Sequence, residues 1–510
     1  MSDEEKQKQD GQDVSREVYP EMDLDRDIVG WESQDDPLNP RRVILSTACR
    51  ALTNSKQNRN YPSSRKWFQL ATVSVITFIS PFASSVFAPG APLASQEFGN
   101  TSSIRSSFAV TAYLFGYFSG PLLLSPLSEM FGRRLTLNVA TSIFVLFQIG
   151  CALAPNLSAL IVFRFLTGFG GSGCLTIGGG VVADLFEAEQ RGLALSFFQF
   201  GPLFAPVIGP ICGGFIAQRA GWRWSFWVLV IAGGTLTLLV MITNRETNPA
   251  ILIHRKTKAL RKKLERPELR SCYDKEGGAR KPLHILLTTF TRVFKLLASS
   301  PIVFLLSLYI SVVYGCLYLL FTTITTVFED QYGWSVEMSG LAYIGLGLGF
   351  FVGLIVFAFC SDRMMIRLKM QNNNVLEPEM RLPLCLPFAL FVPISFFWYG
   401  WSVQVRTHWI VPIIGLFPFA FGLNGLFGTV QAYIIDSYPR YAASGVAAMT
   451  VTRSLFGALL PLAGPPMYKS LGYGWGNSLL GFVTLGMALL PIFFSRAGAS
   501  LRKRFTVDLE

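Results

Sequence analysis

The chain has 510 residues, of which 51% are hydrophobic and 15% charged, and its mean hydropathy is +0.41. The apolar residues fall into about a dozen segments of the length that spans ~30 Å of hydrocarbon. The formal charge of +12 is divided among the loops, which indicates membrane topology and attraction to anionic lipid and excludes a nucleic-acid partner. The sequence therefore predicts an all-α membrane protein.

Residues 1–66 are predicted to form a cytoplasmic, mostly disordered tail, because they are polar and lack periodicity. The first ten residues, MSDEEKQKQD, have no apolar core and so do not form a cleaved signal peptide. Segment 41–64 is basic and slightly apolar. Two interpretations of it stay open: an amphipathic stretch at the membrane interface, or an insertion without a structural role, such as a retained intron.

Twelve spans are predicted in two halves of six. In the first half, 67–243, they are 67–89, 105–125, 135–153, 157–183, 192–217 and 223–243. A basic cytoplasmic linker, 244–299, follows. In the second half, 300–495, the spans are 300–327, 338–361, 382–401, 409–434, 441–464 and 475–495. Residues 496–510 form a C-terminal cytoplasmic tail.

An internal repeat supports the two halves. Gly99 and Gly333 are 234 residues apart, and Ser128 and Ser361, each one span further on, are 233 apart. This spacing indicates duplication. Two six-span halves with a central site between them form a transporter architecture.

Lysine and arginine are retained on the cytoplasmic side of a membrane. With both termini inside, the predicted outer loops hold only Arg105, Arg219, Arg223, Arg406 and Lys469 of the 44 basic residues. Both termini are therefore predicted to be cytoplasmic. The eight cysteines form no CxxC, and with three histidines in the chain no disulfide framework or metal site is indicated.

Three motifs carry a resemblance to a known family. They are Ser125–Arg134 after the second span, Arg164–Gly168 in the fourth and Ala205–Gly214 in the fifth. They resemble the signature motifs of the major facilitator superfamily, the third being its antiporter motif. Further motifs at 221–227, 408–415 and 436–457 resemble the twelve-spanner drug/proton antiporters of fungi. The resemblance implies the major facilitator fold and proton-driven export of drugs, toxins, polyamines or organic acids, with the proton gradient in place of a cofactor.

The short charged loop after the second span is a candidate latch between the halves. A carboxylate with adjacent arginines there can bind helix ends; these groups are Glu129, Arg133 and Arg134. The alternative is that the arginines only enforce topology. Two further sets are candidates for coupling and gating: Asp362 and Arg363 at the equivalent place in the second half, and Asp184 at the end of span four, where capping competes with a latch role.

Arg164 lies eight residues after Asn156, about 12 Å into the membrane. A central arginine costs roughly 3 kcal/mol or more by insertion scales, so it should be buried against polar partners or a cavity. The resemblance implies a role in proton transfer or conformational coupling; the alternative is a structural arginine bonded to backbone carbonyls.

Span five is predicted to be a deformable, tightly packed helix that limits proton leak. The residues that indicate this are Gly209, Pro210, Gly213 and Gly214.

The charge inside the predicted spans is all positive, because Arg164 and Arg453 lie near mid-membrane and no Asp or Glu lies in a span interior. We therefore expect a neutral or anionic substrate, with Arg453 as its main contact. Further candidate substrate-binding groups are polar and uncharged: Gln199, Asn424, Gln431, Tyr433, Tyr113 and Tyr314.

The sequence as a whole predicts an exporter of a small organic molecule by proton antiport, acting as a monomer in the plasma membrane. A transporter-like sensor is one alternative, and an organic-anion or polyamine transporter is another. An enzyme is not predicted, because no pair of nucleophile and base and no metal triad is visible.

Overall fold

The computed structural model describes residues 22–23, 27–30, 63–186, 188–273, 282–372, 377–438 and 442–504. The first half contains α1 (Ser63–Ser85), α2 (Ala91–Glu97), α3 (Ser103–Phe131), α4 (Arg133–Ala152), α5 (Leu157–Leu185), α6 (Ala188–Ala220) and α7 (Trp222–Thr243). The linker contributes α8 (Pro249–Leu264) and α9 (Pro282–Ser299). The second half contains α10 (Pro301–Tyr332), α11 (Val336–Leu341), α12 (Ile344–Gln371), α13 (Cys385–Gln404), α14 (Ile410–Ser437), α15 (Ala442–Met487) and α16 (Leu489–Arg504).

The predicted all-α membrane fold is confirmed. Ten helical segments of the described chain are long and apolar enough to cross a membrane. One of them, Gly445–Gly498, has 54 residues, which at 1.5 Å per residue is about twice what one crossing needs. It turns at Gly472, whose φ of 71° favours glycine. Together with α6, which occupies the predicted fifth span, these helices account for twelve crossings.

Helix starts follow ordinary capping chemistry. The residues before α3, α5 and α10 are Ser102, Asn156 and Ser300. The side-chain oxygen of each accepts a hydrogen bond from the backbone N–H three residues later, which caps the first turn of the helix. Gly132 separates α3 from α4 and has a φ of 99°. Because the chain reverses there within one residue, the charged groups around Gly132 are held against the ends of neighbouring helices.

Close backbone contacts hold each half together. A Cβ at Gly168 of α5 would lie 2.0 Å from the carbonyl oxygen of Tyr113 in α3, and one at Gly345 of α12 would lie 2.1 Å from the carbonyl oxygen of Ile413 in α14. Glycine is required at such positions because the helix backbones touch directly. Gly168 thus lets α5 pack directly on α3.

Part of the N-terminal tail packs on the linker. Strand β1 (Ile28–Val29) pairs in parallel with β2 (Arg270–Ser271). Val29 is buried against Ile253 and Leu269, and Arg266 forms an ion pair with Asp27 at 2.6 Å. This short part of the tail is ordered, although the tail is predicted to be mostly disordered. The reason is that Ile28 and Val29 pair with β2 and Val29 also packs on apolar side chains of the linker. Segment 41–62 lies outside the described residues, and Ser63 and Ser64 open α1.

The two halves meet along two faces of the bundle. We call the end at which α1 starts the linker end, and the other the opposite end. Near the opposite end α6 packs on α11, where a Cβ at Gly214 would lie 2.9 Å from the Val336 carbonyl oxygen. In the middle and toward the linker end α3 packs on α15: a Cβ at Gly457 would lie 3.0 Å from Leu114, and Leu122 is buried against Val451.

The glycine contacts predict a matched pair of variants in α5. Gly168→Ala forces a methyl group onto the backbone of α3 and should destabilise the protein by about 1–3 kcal/mol. Gly179→Ala meets no atom within 4 Å and should be neutral or stabilising, because alanine is the better helix former. Melting temperatures of the purified variants in detergent measure the difference, and equal values for the two would contradict the packing described.

Candidate functional site

Arg164 is fully buried in the first half, and all of its described hydrogen bonds go to backbone carbonyls. Nη1 donates to Ala83 at 2.7 Å, Nη2 donates to Ser84 at 2.9 Å and to Val110 at 3.0 Å, and Nε donates to Ala109 at 3.3 Å. The guanidinium carbon also lies 4.9 Å from the centre of the Tyr113 ring. No carboxylate of the described chain lies within ion-pair distance of it.

Two of these carbonyls belong to the C-terminus of α1. The helix ends at Ser85, so the carbonyls of Ala83 and Ser84 have no partner within the helix. A cation at the C-terminus of a helix is also favoured by the helix dipole. Arg164 therefore caps α1 and joins it to α3, which is the backbone-bonded arrangement named above as the alternative to proton transfer. Its role in coupling stays a prediction.

A cluster of buried hydroxyl groups lies beside this cap. Ser80 contacts the hydroxyls of Tyr113 at 3.1 Å and Tyr117 at 2.6 Å, and Tyr113 also donates to the Ser80 carbonyl at 2.9 Å. One turn further along α1, Ser84 Oγ lies 2.8 Å from the hydroxyl of Tyr318. Tyr318 belongs to α10, so this contact crosses from the first half to the second.

Arg453 lies on the second-half side of the same junction. Its guanidinium carbon is 5.0 Å from the ring centre of Tyr314 in α10 and 4.9 Å from that of Phe427 in α14. Nε is buried and has no hydrogen-bond partner. A half-buried arginine with a buried, unused donor between two aromatic faces is suited to bind an acceptor oxygen of a ligand.

The remaining predicted substrate-binding residues lie at different depths. Tyr113 belongs to the Arg164 cluster, and Asn424 donates to the Phe350 carbonyl at 2.9 Å. Tyr433 is buried at the linker end of α14, and Gln431 is half-buried two residues earlier. Gln199 is part of α6, but its side chain lies outside the described residues. The structure thus brings Tyr314 to Arg453 and leaves the other assignments as predictions.

At the linker end, the predicted latch residues bind helix ends of the first half. Arg133 donates to Asp184 Oδ2 at 3.2 Å and to Ser128 Oγ at 2.6 Å. Arg134 donates to the Met241 carbonyl near the end of α7 at 3.1 Å. The side chain of Glu129 is exposed, and its carbonyl accepts from the Asn248 amide at 3.4 Å. The contacts of the two arginines hold α3, α4, α5 and α7 together.

Glu246 completes this cluster and was missed from the sequence. Its Oε1 accepts from the backbone N–H groups of Arg133 at 2.8 Å and of Thr247 and Asn248 at 3.1 Å each. A Cβ at Gly132 would lie 2.1 Å from its Oε2, so the glycine leaves room for the carboxylate. The sequence does contain a signal for it, because Glu246 is an acidic residue just beyond the sixth span and close to the start of the next helix at Pro249.

The second half has a matching cluster built from other residues than those predicted. Arg381 donates to Asp436 Oδ2 at 2.5 Å, and Arg502 donates to both carboxylate oxygens of Glu379, at 3.0 and 3.3 Å. Arg381 precedes α13 and Asp436 ends α14, as Arg133 opens α4 and Asp184 ends α5.

The predicted counterparts in the second half lie elsewhere. Asp362 and Arg363 lie within α12. The Arg363 side chain is exposed and lies over the ring of Phe359 at 5.8 Å, and the side chain of Asp362 is outside the described residues. Their gating role stays a prediction.

The glycines of the fifth predicted span face two neighbours. A Cβ at Gly209 would lie 2.2 Å from Ser85 Oγ, and one at Gly213 would lie 1.9 Å from the Val86 carbonyl oxygen, so this face packs on the end of α1. Gly214 contacts Val336, and the Pro210 carbonyl oxygen is 3.1 Å from a Cβ at Gly340. The helix therefore touches α1 on one side and the second half on the other.

Comparisons with known proteins agree with this geometry. The sequence profile of the Major Facilitator Superfamily matches residues 73–461. The MFS-type transporter penM of Penicillium rubens is 46% identical over 490 residues, 96% of this chain and 92% of that protein. The efflux pump radE of Floropilus chiversii is 40% identical over 492 residues, 96% of this chain and 88% of that protein.

A solved structure shares the fold. The partially occluded inward-open conformation of the xylose transporter XylE from E. coli has a TM-score of 0.65 and covers 85% of this chain and 98% of its own. At 19% sequence identity, the likeness concerns the fold alone.

The capping geometry predicts how Arg164 variants behave. Arg164→Ala should reach the membrane yet lose most transport, because α1 loses its cap. Arg164→Lys should retain part of it, since it keeps the charge but lacks the planar fork that reaches two helices. Transport per molecule at the cell surface is the measurement. Normal transport by the Ala variant at equal surface amount would show that the cap is not needed.

Proposed function

The chain belongs to the Major Facilitator Superfamily and is therefore a multi-pass membrane transporter and not an enzyme, and we propose that it exports a small organic molecule in exchange for protons. The observation that carries this proposal is the junction of the halves, where Arg453 with an unused donor lies between aromatic rings next to the hydroxyl cluster. Rocking of the halves around this junction would expose it to each side of the membrane in turn.

Proton antiport is supported by the packing of α6. Its glycines touch the α1 backbone on one side, and its Pro210–Gly214 turn touches α11 on the other, at distances that leave no space for a side chain. A dry contact of this kind limits proton leak and uniport. The export direction rests on the relatives, of which one is named an efflux pump.

For the proton-binding group we propose Glu329, in the last turn of α10. Its Oε1 is buried without a hydrogen-bond partner, and no lysine or arginine of the described chain forms an ion pair with it. An ionised carboxylate is costly to bury in this way, so the group is suited to bind and release a proton. Arg164 is not assigned this role, because a guanidinium is not deprotonated in proteins.

The substrate is proposed to be neutral or anionic. Arg164 and Arg453 place two positive charges near the junction, and a cation would meet an unfavourable field there. This favours an organic anion or an uncharged drug or toxin over a polyamine. The aromatic faces of Tyr314 and Phe427 would contact the apolar part of such a molecule.

The plasma membrane, cytoplasmic termini and a monomeric state complete the proposal. The orientation is supported by the basic residues of α8 and of the C-terminal end of α16, which lie at the linker end of the bundle. Retention of lysine and arginine on the cytoplasmic side would place that end inside the cell.

Proton coupling is tested by efflux of an exported compound from energised cells with and without a protonophore. We expect collapse of the gradient to reduce efflux to the passive rate. Glu329→Gln, which keeps the shape but cannot release a proton, should do the same with the gradient intact, whereas Glu265→Gln in the linker should not. Undiminished efflux after the gradient is collapsed would rule out antiport.

Substrate charge is tested in a pump-deficient yeast with azoles, organic acids and quaternary ammonium dyes. The wild type should confer resistance to neutral and anionic members. Arg453→Gln should reduce resistance to the anions by about ten- to a hundredfold, since a charge-assisted bond contributes about 1.5–3 kcal/mol. Strong resistance to the permanent cations, absent in Arg164→Ala, would contradict the proposed substrate class.

A further inference from the structure

Among the described side-chain hydrogen bonds, the one between Ser84 and Tyr318 is the buried bond that joins the two halves inside the bundle. Both side chains are at most 1% exposed. The other described polar link between the halves, Arg219 with Glu337 at 3.0 Å, lies at the opposite end and is largely exposed, so it contributes little.

The donor of the buried bond can be assigned from the partners of Ser84. Ser84 Oγ donates its single hydrogen to the Pro81 carbonyl at 2.6 Å. The 2.8 Å contact with Tyr318 therefore has the tyrosine hydroxyl as donor and the serine oxygen as acceptor. If the bond breaks, Ser84 keeps the Pro81 carbonyl as its acceptor, and the Tyr318 hydroxyl loses the serine oxygen.

Ser84 is also the point at which the junction meets the Arg164 cap. Its carbonyl accepts from Arg164 Nη2 at 2.9 Å, and the next two residues, Ser85 and Val86, contact the glycine face of α6. The position of the serine is thus fixed by the first half. Any movement of α10 away from α1 has to break the bond on the tyrosine side.

Tyr318 is in turn linked to the Arg453 site. Its ring centre is 5.2 Å from that of Tyr314, one helical turn away, and Tyr314 lies 5.0 Å from the Arg453 guanidinium carbon. The Arg453 Nε has no partner. A ligand with acceptor oxygens that binds this arginine would therefore lie near the tyrosine pair.

We propose that Tyr318 is the positioning residue through which the Arg453 site controls the contact between the halves. Its hydroxyl donates to Ser84 while the halves are closed at the opposite end, and a ligand acceptor oxygen at Arg453 takes over that hydrogen. The functional role of this contact rests on the proposed transport cycle. The hydrogen bond and its link to Arg453 can be tested without substrate or proton gradient.

The test measures closure of the opposite end by disulfide cross-linking of Arg219→Cys with Glu337→Cys in membrane vesicles, quantified by mass spectrometry. Tyr318→Phe in this background should lower the rate of cross-linking about fivefold, as loss of one ordinary hydrogen bond predicts. Tyr309→Phe is the matched control, because Tyr309 lies in the same helix, is fully buried and has a hydroxyl without a partner.

Two further variants separate a positioning role from a general loss of packing. Ser84→Ala keeps the carbonyl that Arg164 uses and should match Tyr318→Phe, with no further change in the double variant. Ser84→Ala also decides the question if Tyr318→Phe does not reach the membrane. Arg453→Gln removes the guanidinium that packs on Tyr314, the neighbour of Tyr318. Without substrate it should lower the rate of cross-linking in the parent background and have little effect once Tyr318 is Phe.

Three results would overturn the proposal. Cross-linking in Tyr318→Phe equal to that in Tyr309→Phe would show that the bond does not hold the halves. Additive effects of Ser84→Ala and Tyr318→Phe would show that the two side chains act separately. Additive effects of Arg453→Gln and Tyr318→Phe would show that the arginine site does not act through the tyrosine. None of these measurements depends on antiport, whose failure would appear only in the efflux experiment.

Discussion

A buried positive charge with no described carboxylate beside it is the constraint on which the junction of the halves depends. Insertion of an arginine near mid-membrane costs roughly 3 kcal/mol or more, whereas a hydrogen bond to a charged group contributes about 1.5–3 kcal/mol. Arg164 makes four such bonds, so together they can offset the cost. The charge is stable there only while the end of α1 and the helices α3 and α5 are held in one arrangement.

This requirement fixes the end of α1, and several contacts follow from it. Because Ala83 and Ser84 are bound to Arg164, the next residues face α6, where glycine allows direct backbone contact, and the Ser84 hydroxyl faces Tyr318 in the second half. The linker-end clusters have a different effect. Arg133 with Asp184, and Arg381 with Asp436, hold helices within each half, so each half can move as a unit about the central junction.

The sequence predicts the helices well, because a bilayer requires about twenty apolar residues in each crossing and runs of that length are visible without any contact information. It also predicts that Arg164 is deep and needs partners. It does not identify those partners, because the carbonyls of Ala83 and Val110 carry no signature in the side chains.

The repeat in the sequence does not lead to the ion pairs at the linker end of the second half, for a different reason. The repeat was followed at a constant offset from Ser128 to Ser361, which leads to Arg363. In the first half one residue separates the helices around the motif, whereas in the second the chain passes through a 3-10 turn at Pro378–Leu384 before α13 begins. The arginine at the start of the next helix is consequently Arg381, eighteen positions further on. The ion pairs depend on helix ends, which hydropathy locates only approximately.

The central claim is that Arg164 holds the end of α1 at the junction of the halves. Hydrogen–deuterium exchange of the purified protein, followed by mass spectrometry of peptides covering 80–90, tests it most directly in wild type and Arg164→Ala. We predict faster exchange in this segment of the variant, with peptides from α13 unchanged. Equal exchange of residues 80–90 in the two proteins would show that α1 is fixed by packing alone and would contradict the account.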